Sequence, residues 1–362
     1  MRMAFTLSNT ALLLAFPAAL LLTQGVIALA HRRGWVAKPK VDRWHSRPTA
    51  LFGGVAIFAT FALGCAFLFG RLAVRPDLLG LLTGGAVIFS VGLLDDRKPL
   101  NPMVKLIGQF MAVGPFLVGF LLTNHAPTFI FALPLLLFWM LTLTNSLNLL
   151  DNMDGLSAGT AATAAGLLAF YARQTGQTAE FSLAALLTLI CLGFLVYNFR
   201  LKSSAKIFMG DCGSMFLGYL LAGLSAIAFS ANHAPLITGI AAPLLLMAVP
   251  LFDTTLVVVI RKREGRAISQ GGRDHTSHRL VYAGFSEKGA ALTHFALTLL
   301  FGGAGILLAL YKPFALLAAV PMTILMLFRF GASLSRFSQP QQAVITVASA
   351  SESTSGSLAA TP

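Results

Sequence analysis

Apolar residues come in long blocks along this chain, and the blocks recur with short polar gaps. They fall at roughly 6–30, 51–69, 78–94, 106–122, 129–147, 156–171, 181–197, 215–230, 236–260, 290–310 and 313–328. A bilayer core about 30 Å thick needs roughly 20 apolar residues per crossing helix. The pattern therefore predicts an all-α, polytopic integral membrane protein with about eleven transmembrane helices. The run 236–260 holds Pro243 and Pro250. Proline removes a backbone donor, so a kink or break is expected there. From about Gly331 the composition shifts to Ser, Ala, Thr and Gln. This divides the chain into a membrane domain, residues 1–330, and a disordered cytoplasmic tail, residues 331–362.

Composition agrees with the pattern. Of 362 residues, 56% are apolar and 11% charged, with mean hydropathy +0.79. A soluble domain carries about 25% charged residues, so that class is excluded. Cys65, Cys191 and Cys212 show no metal spacing and indicate no disulfide. Ala28-Leu29-Ala30 resembles a signal-cleavage site, but the apolar run is long and His31-Arg32-Arg33 follows it. With the N-terminus outside and eleven spans, the inside loops hold 21 Lys and Arg and the outside only 5. That asymmetry favours an uncleaved first helix and a cytoplasmic C-terminus.

The net charge of +13 is mostly this topological bias. The acids change the picture, because they gather on the same face and the bias does not explain them. Asp95-Asp96 ends the third run before Arg97 and Lys98. Asn145, Asn148, Asp151 and Asp154 are spaced by three. On a helix that spacing makes one oxygen-rich stripe suited to Mg²⁺ or Mn²⁺; a capping and turn cluster is the alternative. Asp211 lies between Gly210 and Gly213, where it is either a helix cap or a ligand in a phosphate-cradling loop. His275, His278 and Arg279 lie in the most basic inside loop and can donate to phosphate oxygens. Jointly the four segments point to phosphoryl transfer on a diphosphate with a lipid partner. Nucleic acid is not expected, because the basic loops are short, poor in aromatics and abut the bilayer. A transporter or flippase for an anionic solute is the competing class, but few ionisable groups sit at span centres, Asp253 being the main exception.

The ordered set Asp95-Asp96, Asn148-x-x-Asp151-x-x-Asp154-Gly155, Phe208-x-x-Asp211-x-Gly-Ser214 and His275-x-x-His278-Arg279 resembles the polyprenyl-phosphate N-acetylhexosamine-1-phosphate transferases. The resemblance covers roughly residues 38–285. It implies about ten or eleven spanning helices in the bacterial inner membrane, with the active site facing the cytoplasm. It implies transfer of an N-acetylhexosamine-1-phosphate, GlcNAc-1-phosphate first, from a UDP-sugar to undecaprenyl phosphate. UMP is released, and a surface glycan such as O-antigen, common antigen or a teichoic-acid linkage is begun. FucNAc- or QuiNAc-1-phosphate transfer, and the phospho-MurNAc-pentapeptide translocase, are the alternatives. The spaced His275 and His278, in place of a run of histidines, favour the simple UDP-sugar branch. By motif matching, Asp211 and Asn148 would hold the metal, and Asp95, Asp96, Asp151 and Asp154 would be catalytic-site carboxylates. Lys105, His275, His278 and Arg279 would bind phosphate, and Phe208 would stack on uracil. His45 and Arg47, in the first loop, carry over only weakly. The resemblance leaves a homodimer open.

Overall fold

In a computed structural model the described residues are 2–37, 48–72, 75–124, 132–230, 235–268 and 272–337. Each of the eleven apolar runs coincides with a helix, the ninth run with two. The order is α1 (Arg2–Arg33), α2 (Gly53–Leu72), α3 (Pro76–Arg97), α4 (Pro102–Thr123), α5 (Leu133–Leu150), α6 (Leu156–Gln174) and α7 (Thr178–Asn198). There follow α8 (Asp211–Ser230), α9 (Leu236–Leu246), α10 (Ala248–Arg263), a short α11 (Thr276–Tyr282), α12 (Glu287–Tyr311) and α13 (Leu316–Leu334). The last helix runs past residue 330, the boundary expected for the tail; residues beyond 337 lie outside those described.

Among the described residues eight helices are long and apolar enough to cross a membrane, or nine if α9 and α10 are one broken span. The chain is thus a polytopic helical membrane protein. The apolar part of α2, Gly53–Leu68, is short for a span, and α6, rich in alanine, threonine and glycine, is not among the eight. Helices α9 and α10 meet at 69°. Pro250 supplies the reason: without an N–H it offers nothing to the carbonyl of Leu246, one turn back.

At the centre stands α8, with Cys212 through Phe229 all buried. It is packed by α2, α3, α5, α6 and α9. Leucine, valine and phenylalanine side chains such as Leu21, Val118, Leu317 and Phe328 face outward from α1, α4 and α13, as lipid-facing surfaces require. A charged cluster closes the far end of α3, where Arg75 bonds Asp77 at 2.6 Å and pairs with Glu180. Asp77 and Asp95 are 18 residues apart on α3, about 27 Å at 1.5 Å per residue. That is close to the thickness of a hydrocarbon core.

Two short antiparallel strands, β1 (Val36–Ala37) and β2 (Thr49–Ala50), lie beyond the end of α1. Strand β2 is stitched to the segment before α8, Phe208 N donating to Ala50 O at 2.9 Å and Gly53 N to Phe208 O at 2.9 Å.

Candidate active site

The two adjacent carboxylates at the end of α3 part company. Neighbouring residues on a helix face different ways. Asp95 accepts from Leu100 N at 2.6 Å and from Lys105 Nζ at 2.8 Å. Asp96 reaches the start of α8 and accepts from Asp211 N at 2.7 Å and Cys212 N at 3.0 Å. It thus serves as the helix cap that α8 does not find in its own preceding residues, and a negative charge there also suits the helix dipole. Gly210, with φ +79°, turns the chain into this arrangement, and a Cβ there would sit 2.6 Å from Asp96 Oδ2.

Lys105, from the first turn of α4, is the hub. Its ammonium pairs with Asp95 and with Asp211, and lies 3.3 Å from Asn148 Oδ1. Asn148 in turn lies 3.0 Å from Asp211 Oδ1 and 3.0 Å from Ser214 Oγ. Residues from α3, α4, α5 and α8 therefore converge on one polar focus, as the clustering of motifs on one face led us to expect.

The stripe expected from Asn145 to Asp154 is not a helix face. Helix α5 ends at Leu150, and Asp151 is its C-cap. A turn follows until Gly155, at φ +77°, opens α6. Asn145 and Asn148 share the helix, but Asn145 pairs with Gln109 of α4 at 3.0 Å and 2.8 Å. Asp154 accepts from Ala205 N at 2.8 Å and lies 3.4 Å from Lys288 Nζ. Asp151 accepts no hydrogen bond from the described residues. Burial, together with the charges of Asp211, Asp96 and Asp154, pushes its carboxyl well above the usual range. Asn198, which the sequence did not single out, braces the turn by accepting from Gly155 N at 2.9 Å and donating to Ile207 O at 2.8 Å.

The basic segment docks beside that turn. Ser277 Oγ donates to Asn152 Oδ1 at 2.7 Å, next to Asp151. His275 Nδ1 lies 2.7 Å from Asp253 of α10, whose other oxygen accepts from Thr276 N at 2.7 Å. His278 stands edge-on to His275, ring centres 6.1 Å apart. Burial, with His275 and Arg273 nearby, holds its imidazole down, at about 4. Arg279 directs its donors to carbonyls, to Asp274 O at 3.2 Å and to Phe337 O at 3.4 Å past the end of α13. Burial works against a charge on Asp274, but the Arg261 fork at 2.9 Å and 3.0 Å holds its carboxyl down, at about 2. Asp253 and His294 are ionisable groups inside apolar runs. That signal was open to sequence reading for Asp253, whereas His294 went unnoticed. Phe208 is half-buried in the segment before α8, and His45 and Arg47 lie outside the described residues.

The donor set is hard. Asp211 and Ser214 each place an oxygen 3.0 Å from Asn148 Nδ2, Asn148 turns its own oxygen to Lys105, and Asp151 adds an unengaged carboxyl group. Among the described residues no three His, Cys, Asp or Glu side chains form a metal cage. Mg²⁺ commonly uses one or two carboxylates and takes its other oxygens from water and substrate phosphate, so these residues fit such an ion.

Comparison with known proteins agrees. The family model described as glycosyl transferase family 4 matches residues 78–229. The chain is 30% identical over 299 residues to a probable undecaprenyl-phosphate N-acetylglucosaminyl 1-phosphate transferase of Bacillus subtilis, covering 80% of this chain and 81% of that protein. It is 30% identical over 309 residues to a decaprenyl-phosphate N-acetylglucosaminephosphotransferase of Mycobacterium tuberculosis, covering 75% of this chain and 74% of that protein. With an undecaprenyl-phosphate alpha-N-acetylglucosaminyl 1-phosphate transferase of Yersinia pestis it shares 27% over 275 residues, 72% of this chain and 73% of that protein.

Proposed function

Because the chain belongs to glycosyl transferase family 4, we propose that it transfers GlcNAc-1-phosphate from UDP-GlcNAc to a polyprenyl phosphate, undecaprenyl phosphate foremost. The observation that carries this reading is the focus of Lys105, Asp95, Asn148 and Asp211 beside the basic segment of α11. Carboxylate and amide oxygens for a cation lie there with an ammonium for phosphate.

In the reaction an oxygen of the lipid phosphate bonds to the β-phosphorus of the sugar nucleotide. The bond from that phosphorus to the bridging oxygen breaks, and UMP leaves with both bonding electrons. The lipid phosphate needs little help to become a nucleophile, since a phosphate monoester is largely ionised near neutral pH, with a second pKa of about 6. Rate then comes mainly from alignment and charge neutralisation. Mg²⁺, held by Asp211 and Asn148 with Asp151 beside them, would supply neutralisation of the diphosphate oxygens. Lys105 brings a second positive charge, which Asp95 orients. Asp154, fixed by Ala205 N, and the half-buried Phe208 would border the nucleotide. In this reading the protein lies in the bacterial inner membrane with eleven crossings, the N-terminus outside and this focus at the cytoplasmic surface, and a homodimer is its simplest assembly.

The test is direct. Purified protein is incubated with undecaprenyl phosphate and a panel of UDP-N-acetyl sugars, with Mg²⁺ and with chelator. UMP release and a diphospholipid product are expected with UDP-GlcNAc and Mg²⁺. Absence of UMP with every sugar would sink the proposal.

A further inference from the structure

The histidines of the basic segment are not equivalent, and the difference comes from a residue six positions past the break between α9 and α10. Asp253 is 1% exposed. One of its oxygens lies 2.7 Å from His275 Nδ1. The other accepts from Thr276 N at 2.7 Å and Thr276 Oγ1 at 2.5 Å. Thr276 Oγ1 is also 2.8 Å from His294 Nε2, and His294 Nδ1 lies 2.8 Å from Ala290 O. One carboxylate thus ties α11 to α10 directly and to α12 through Thr276.

A carboxylate engaged in this way only accepts, so the proton of the His275–Asp253 bond belongs to Nδ1. Among the described residues no hydrogen bond reaches Nε2 of that ring. A second proton, on Nε2, would create an imidazolium whose charge is matched at once by Asp253, the arrangement by which carboxylates orient and charge histidines elsewhere. His278 differs. Its imidazole is held down at about 4 by burial and by neighbouring positive groups, so at neutral pH it brings no charge.

We propose that Asp253 is a positioning residue, which fixes the Nδ1 proton of His275 and makes Nε2 of His275 the imidazole nitrogen that donates to the diphosphate of the sugar nucleotide. The inference deepens the transferase reading and rests on it for the identity of the ligand. It assigns the anion-binding role to His275.

The test uses the full-length protein labelled with nitrogen-15 histidine, together with Asp253→Asn, His275→Asn and the double variant. In wild type the spectrum should contain a ring protonated at Nδ1 that disappears in His275→Asn. In Asp253→Asn no carboxylate remains at Nδ1 to balance an imidazolium, and the Nδ1 signal of that ring should shift. UMP release should fall about tenfold to a hundredfold in kcat/KM for Asp253→Asn. The double variant should be no slower than His275→Asn, because Asp253 acts through that ring. Losses that multiply would make Asp253 a general structural residue and overturn the proposal. So would a wild-type His275 with a bare Nδ1, a result that needs no variant at Asp253 to fold. Should wild type release no UMP at all, the transferase reading falls, and the spectra still decide the state of the ring.

Discussion

Replacing Asp96 separates two roles for that carboxylate, action on the substrate and support of α8. Its oxygens take the N–H groups of Asp211 and Cys212 at 2.7 Å and 3.0 Å. The next two donors, Gly213 N and Ser214 N, are satisfied by Gly210 O at 3.1 Å each. Asp96→Ala therefore orphans two donors, one on the fully buried Cys212 and one on a half-buried residue that water can reach. A charged acceptor bond contributes about 1.5–3 kcal/mol and a lost cap costs about 1–2 kcal/mol, so the net destabilisation should be about 2–4 kcal/mol. Asp96→Asn keeps one acceptor oxygen and should lose about half of that. The assay is thermal unfolding in detergent, with UMP release measured well below the transition. Asp96→Ala should melt several degrees lower, and Asp96→Asn should melt in between while still turning over. If Asp96→Asn melts with wild type and is inactive, the carboxylate acts on the substrate and the capping argument is wrong.

Three further outcomes follow from the same geometry. Lys105→Met leaves Asp95 and Asp211 without their shared cation and should slow UMP release by about a hundredfold or more, as loss of one charge-stabilising donor does; near-normal turnover would remove Lys105 from the site. Gly210→Ala forces a side chain into a left-handed backbone 2.6 Å from Asp96 Oδ2, so unfolding should reveal a loss of at least about 1–2 kcal/mol. His278 has its pKa lowered from 6.5 to about 4, so between those values the unfolded chain binds the extra proton and stability falls as pH falls. From neutrality to about pH 5 that amounts to about 2 kcal/mol, and His278→Gln should flatten this part of a denaturation-versus-pH curve.

The apolar runs were legible because lipid demands them, and each marks a helix of the structure. Pro243 and Pro250 together announced a kink or break in the ninth. Periodicity misled at Asn145–Asp154, where the spacing of three continues through a chain that has stopped being helical. Asp151 and the positive φ of Gly155 end the helix, and spacing does not register such an ending. Adjacent letters also hid the divergence of Asp95 and Asp96, whose opposite roles depend on where α4 and α8 stand. The pairing of Asp253 with His275 and, through Thr276, with His294 joins three helices. No local pattern encodes such a meeting, although each ionisable residue in an apolar run was itself a signal. That these segments gather was therefore readable from motif and side, whereas the contacts among them required packing.

The burial of α8 has a consequence for motion. Cys212 through Phe229 are enclosed on every side, so this helix can open only when its neighbours move with it. Its amides should exchange with solvent as slowly as global unfolding permits, while α11 and the adjoining turns exchange through smaller fluctuations. Asp211 rides on the first turn of that stiff element. The α8 carboxylate is then the stationary reference against which the substrates are placed.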